Sequence, residues 1–335
     1  MLNRRHFLGT AAAGASLLGA PAIVNAQGGE PFTFMTPFGF IPDFIEMMNM
    51  VSGGHLQRQG FNPRLLGGQG TATAIQQLMA GTASFVRVTA IDQFLAVARQ
   101  NAPLVTVSTL YQGSTFQLVS LRDRPIRDAA DLRGKTVGIV SVGGSTDLLL
   151  NIMLQKAGLR VEDVRKEVTG NSPGALQLVR QGRIDCFFCA IGVVVTLNRA
   201  NEPISVMSTD RYAPMPSQIF VTTRDYLQRN ADQALRFMRA YRASCDEVMN
   251  GDKRAIFQRA GRDFEIPGIR DLDTVVSLID ISIRDLWLSE GRENLYRNVP
   301  RLWTEADRSI RGAGIASVPS VEALYTNDLI DRSRA

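Results

Sequence analysis

The chain is poor in the side chains on which metal and nucleophile chemistry usually runs: it has two histidines and three cysteines in 335 residues. One histidine, His6, lies in the N-terminal leader, so His55 is the single imidazole around which a triad or a histidine metal site would have to be built. There is no block of basic residues and no Lys/Arg stripe interleaved with aromatics. The formal charge of +5 falls to +3 without Arg4 and Arg5, too mild for a nucleic-acid partner. After the N-terminal segment no run is long and apolar enough to span a bilayer, which needs ~20 residues. An odd number of cysteines leaves at least one thiol free. Cys186 and Cys189 have the spacing of redox and metal pairs, but they lie in an apolar strand where residues three apart point to opposite faces, so buried thiols are expected.

The N-terminus carries a specific signal. Asn3-Arg4-Arg5-His6-Phe7-Leu8 precedes an Ala/Gly-rich apolar run to Ile23, and Val24-Asn25-Ala26 offers small residues for cleavage. The segment resembles a twin-arginine export signal, with Asn3 and Gly9 as departures from that pattern. Residues 1–26 are therefore read as a signal peptide handled by the twin-arginine export machinery. The mature protein is expected to begin near Gln27, in the periplasm.

The body of the chain alternates strand and helix. Phe32–Met35, Phe61–Leu65, Phe85–Thr89 and Leu104–Leu110 read as strands, with helices over Pro42–Ser52, Thr71–Ala80 and Ile91–Gln100 between them. That alternation predicts α/β architecture with mostly parallel, doubly wound sheets. A second unit repeats the pattern. Residues 74–86 align without gaps on 175–187, each a helix, a glycine stop (Gly81, Gly182) and a strand. Extended segments at Thr115–Ser120 and Pro216–Val221 read as two crossings between the units. The expected lobes are 30–116 with 218–335, and 117–217, with a largely helical tail from Ala231 returning to cover the first lobe.

The stretch Asp131–Thr146 organises the second lobe. A β-branched strand, Thr136–Val140, ends in Ser141, Gly143, Gly144, Ser145 and Thr146, after which a helix begins. Gly134-Lys135-Thr136 matches the end of a nucleotide-binding P-loop but precedes its strand. Gly68-Gln69-Gly70 lacks the third glycine of a dinucleotide fingerprint, since Thr73 stands there. No cofactor is called for.

These segments carry a family likeness. Gly70–Gly81, Asp131–Gly138, Ser141–Thr146, Ala157-Gly158-Leu159 and Gln181–Asp185 resemble the periplasmic solute-binding proteins of ABC importers. The branch they resemble includes binders of sulfonates, taurine, nitrate and thiamine precursors and is related to fungal thiamine-pyrimidine synthases. The resemblance implies a type II periplasmic binding protein, two lobes with a two-segment hinge. It also implies an anionic, sulfonate-, carboxylate- or pyrimidine-like small-molecule solute in the cleft, and an ABC permease with its ATPase as partners. The loops at the strand ends supply the candidate ligand contacts: Phe38, Gly39, Phe40, Gly70, Thr71, Thr89 and Gly192, with Ser141 and Gly143–Thr146 offered to a polar or anionic head. Phe38, Phe40 and Tyr212 are candidates for enclosing an apolar body. Arg87, a cation inside an apolar strand, either pairs with a nearby carboxylate or reaches the ligand. The cysteine cluster of the fungal enzymes has no counterpart at Pro216–Phe220, so a binder is expected and an enzyme is not. His55 is expected as a surface or capping residue. A sensor or TRAP-type receptor shares the clamp shape, and nothing demands more than a monomer.

Overall fold

The computed structural model describes residues 28–334; the expected signal peptide, with Arg4 and Arg5, lies outside the described residues. Ten strands follow in chain order: β1 (Glu30–Thr36), β2 (Phe61–Gly67), β3 (Phe85–Val88), β4 (Leu104–Tyr111), β5 (Phe116–Leu121), β6 (Thr136–Ile139), β7 (Arg165–Val168), β8 (Cys186–Ala190), β9 (Ile204–Ser208) and β10 (Ser217–Thr223). They form two five-stranded sheets, ordered β2-β1-β3-β10-β4 and β7-β6-β8-β5-β9. The two orders are the same once β1, β2, β3, β10 and β4 are matched to β6, β7, β8, β5 and β9. The helix-glycine-strand repeat thus sits at the same place in both lobes. Its glycine stops adopt φ of +73° at Gly81 and +69° at Gly182, the left-handed turn that a side chain would strain.

The sheets are mixed, which corrects the expectation of mostly parallel ones. Pairings β1–β2, β1–β3, β6–β7 and β6–β8 are parallel. Pairings β10–β3, β10–β4, β5–β8 and β5–β9 are antiparallel. The reason is the path of the chain: β5 and β10 are the strands that arrive from the other lobe, and each enters its sheet from the hinge side.

Apolar faces of each sheet are covered by helices. The Ala231–Asn250 helix lays Phe237 on the first sheet, stacked on Phe85 at 4.3 Å between ring centroids, with Phe32, Phe34 and Phe220 around it. Burying such a side chain is worth roughly 1.5–3 kcal/mol. The tail does more than cover the first lobe. The Pro300–Gly312 helix packs on both Ala90–Gln100 of lobe 1 and Ser145–Lys156 of lobe 2. Cys186 and Cys189 are free and buried, Cys186 in an apolar cluster that spans both lobes and Cys189 in a separate one within the second lobe. Burial pushes the Cys189 thiol up to about 12, so both stay unreactive packing groups.

Asp210 fastens the crossings. Its carboxylate accepts the Ser114 N–H at 2.8 Å, and a side chain on Gly113 would meet it at 2.5 Å. Ser217 Oγ donates to the Gly113 carbonyl at 2.6 Å, tying the second crossing to the first. Burial raises the Asp210 carboxyl to about 6.

Two expectations fall here. His55 is neither exposed nor a cap: it is 6% exposed, with Nε2 2.6 Å from Glu247 and Arg58 directed at Nδ1 from 2.9 Å. With Arg58 able only to donate, Nδ1 accepts and Nε2–H donates, the neutral tautomer that burial favours. Tyr212 belongs to the interior of lobe 2, where its hydroxyl accepts the Ala129 N–H at 2.9 Å.

Candidate functional site between the lobes

The carboxyl ends of β1, β2 and β3 carry the lobe 1 loops. Thr36 closes β1, and its hydroxyl donates to the Gly39 carbonyl at 2.5 Å. The Gly39 N–H donates to Gly68 O at 2.9 Å and the Gly70 N–H to Pro37 O at 2.7 Å, so the 37–40 and 67–70 turns brace each other. Phe38, Gly39 and Phe40 line a hollow of about 980 Å³ with Gly68, Gln69 and the 264–270 segment. Phe40 packs on Phe264 at 4.9 Å, and Phe38 is 51% exposed. The volume is that of a small-molecule site.

Thr71, Thr89 and Ser145 converge on a residue that the sequence reading missed, Asp92. Its carboxylate accepts from Thr89 Oγ1 at 2.5 Å and from Ser145 Oγ at 3.5 Å, and Thr71 also bonds to it. Ser145 is the first residue of the Ser145–Lys156 helix of lobe 2, so this contact crosses between the lobes. Burial raises the Asp92 carboxyl above its ordinary value, with the Thr89, Ser145 and Thr71 bonds opposing. A sequence signal existed: Thr89-Ala-Ile-Asp92 has the Thr-x-x-acid spacing of a helix start.

A second crossing contact joins Gly192, near the start of the Ile191–Arg199 helix of lobe 2, to Asp43 and Leu278 of lobe 1. A Cβ on Gly192 would lie 3.5 Å from Asp43 Oδ2 and 3.4 Å from Leu278. Asp43 is 7% exposed and its carboxylate bonds to no other side chain among the described residues; burial raises it to about 6.

The turn Ser141–Thr146, expected to face a polar or anionic head, is braced from within. The Gly143 N–H donates to Asp147 at 2.8 Å, Gly144 N–H to Ser141 O at 3.3 Å, and Thr146 Oγ1 accepts the Val140 N–H at 3.0 Å. These bonds are spent on the turn itself. Arg87 is fully buried: Nη2 pairs with Glu46 at 2.5 Å, Nη1 donates to Gln218 O at 2.5 Å, and the guanidinium lies 3.9 Å over Phe220. Of the two roles left open for it, the structure places it in the ion pair. It also holds Gln218, whose φ of +49° is unusual for a side-chain-bearing residue, at the start of β10.

Two α/β lobes of one strand order, joined by two crossings and touching through the loops at their strand ends, make up the two-lobed fold of periplasmic binding proteins. The sequence profile described as NMT1/THI5 like matches residues 42–255, and the chain belongs to that family. It is 23% identical over 240 residues to the riboflavin-binding protein RibY of Chloroflexus aurantiacus, covering 70% of this chain and 67% of that one. Its fold matches the periplasmic aliphatic sulphonate binding protein SsuA of Escherichia coli with a TM-score of 0.62 at 17% identity, over 75% of this chain and 83% of that one. It also matches the desulfurization enzyme DSZB with a TM-score of 0.58 at 13% identity, over 91% and 99%. Fold alone therefore does not separate binder from enzyme.

Proposed function

We propose that this chain is the extracytoplasmic solute-binding component of an ABC importer. It takes a small organic solute between the lobes and hands it to a permease driven by an ATPase. The observation that carries the reading is the pair of contacts Asp92–Ser145 and Asp43–Gly192, which bring the strand-end loops of both lobes to one gap. Groups on both sides of a hinge let a solute bias the closed form, and the closed form is what a permease would read. Export by the twin-arginine route fits the leader. The binder reading is preferred to an enzyme because the imidazole of His55 is engaged by Glu247 and Arg58, and the cysteine thiols are buried and held protonated. No helix among the described residues is long and apolar enough to cross a membrane.

The test is a thermal-shift screen of the purified mature chain against sulfonates, carboxylates, amines and nitrogen heterocycles. A true solute at a hundredfold excess over its Kd stabilises by about 2.7 kcal/mol. A folded chain that responds to no class would overturn the binder reading.

A further inference from the structure

The two lobes meet over an apolar patch. Val195, in the Ile191–Arg199 helix of lobe 2, is buried in the apolar cluster of lobe 1, where that helix packs on the Leu272–Ser282 helix. Asp43 stands at the edge of the patch, with Oδ2 close to Gly192 of lobe 2. Gly192 has no side chain to offer it a hydrogen bond, and no other side chain among the described residues supplies one. Parting the lobes removes this cover and returns the carboxylate oxygen to water. Glu46 and Arg87 differ in that respect, because they are buried within lobe 1 and keep their ion pair whether the lobes touch or not.

The groups around Asp43 leave its charge unmatched. Glu46 lies three residues further on the same segment, and Arg87 of β3 answers it at 2.5 Å, so that pair is neutral as a unit. From β4 comes Tyr111, a phenol that burial keeps neutral, with the Ser282 hydroxyl as its neighbour. The acids of the Leu272–Ser282 helix are engaged elsewhere: Asp273 and Asp280 are exposed and pair with Arg254 and Lys253. Lobe 2 brings the start of the Ile191–Arg199 helix, whose one charged residue, Arg199, is exposed at the far end. A helix start favours an anion. Loss of water costs the anion more, and the Asp43 carboxyl rises to about 6 from an ordinary 3.8.

We propose that closing the clamp takes up a proton from solvent at Asp43, so that acid favours the closed form and alkali the open one. This rests on the hinged-clamp reading above and needs no solute. In the open form the carboxylate is hydrated and binds a proton as an ordinary aspartate does. In the closed form it either sheds its charge or stays charged without a partner, and the second is disfavoured. The closed form therefore gains as pH falls through 6, and the gain levels off below 3.8. Between pH 7.5 and pH 5 the ratio of closed to open chain rises about tenfold. Asp92, the other carboxylate at the gap, keeps its Thr89 and Thr71 bonds within lobe 1 when the lobes part and loses Ser145 alone, so it adds less.

The experiment is double electron–electron resonance on the mature chain without solute, spin-labelled at Gln69→Cys and Val142→Cys, at pH 5 and at pH 7.5. The short-distance population, relative to the long one, should be about tenfold larger at pH 5. Asp43→Asn, an amide of the same shape that does not ionise, should raise that population at pH 7.5 and remove most of the pH dependence. Asp92→Asn should keep most of it, and a cooperative melt checks that each variant is folded. Two populations whose ratio is the same at both pH values, or a rise that Asp43→Asn keeps in full, would overturn the proton linkage and leave the hinged clamp standing. A single distance at both pH values in every variant would count against the clamp as well.

Discussion

The two lobes share a strand order and differ in what they place at the ends of those strands. Extending the 74–86 and 175–187 match by one residue sets Arg87 of β3 against Phe188 of β8, each fully buried beside its crossing strand. Lobe 1 therefore carries an ion pair where lobe 2 carries an aromatic ring. Lobe 1 also sends carboxylates into the gap, whereas lobe 2 meets them with the first turns of helices. A duplicated scaffold has become chemically unlike on its two sides, and closure brings acids to positive helix ends rather than like to like.

The sharpest way to break the comparison is at the matched pair. Arg87→Met leaves the Glu46 carboxylate buried without its cation and should cost about 3–5 kcal/mol in denaturant unfolding. The counterpart Phe188→Leu, an apolar exchange, should cost about 1.5 kcal/mol. Equal losses would mean that the buried charge has no special weight.

Next comes pH. Asp43 and Asp210 have folded values of about 6 against an ordinary 3.8. The folded chain thus holds these protons more tightly than the unfolded one, so stability rises as pH falls from above 6 toward 4, by at most about 3 kcal/mol per group. Glu247 acts in the opposite sense. Although burial raises it, bonds from Arg259, Asn49 and His55 hold it at about 2. Its contribution is whole above 4.5 and is lost as pH falls through 2. Thermal melts should show a higher Tm at pH 5 than at pH 7, and Asp210→Asn should flatten that rise.

Smaller effects follow at the contact itself. A Cβ on Gly192 would already touch Leu278 and Asp43, at 3.4 and 3.5 Å. Gly192→Leu should therefore disfavour closure by about 1–3 kcal/mol, read as weaker solute binding with little change in Tm. Tyr212→Phe is expected to cost about 1 kcal/mol by leaving the Ala129 N–H without its acceptor, and to leave solute affinity unchanged.

Much of the scaffold was legible because it is written locally. β-branched and aromatic runs marked the strands, and the glycine stops at Gly81 and Gly182 marked the helix ends in both copies. Strand direction was not legible for β5 and β10, since it depends on how the chain traverses the hinge. The site was less legible than the fold. Phe38, Gly39 and Phe40 do line a hollow, and Thr71, Thr89 and Ser145 do meet, but the carboxylate that gathers them, Asp92, lies 53 positions from Ser145. Asp43 gives no periodic signal, and its role exists only once Gly192 of the other lobe approaches. The His55–Glu247 pair, separated by 192 positions, was hidden for the same reason.

The hinged clamp is tested most directly by the distance between the lobes. Cys186, Cys189 and Cys245 are buried, so spin labels on Gln69→Cys of lobe 1 and on Val142→Cys of lobe 2, at exposed positions, will report without interference. Double electron–electron resonance should give a broad distance distribution for the free chain and a shorter, narrower one with saturating solute. The same distribution in both states would contradict the account.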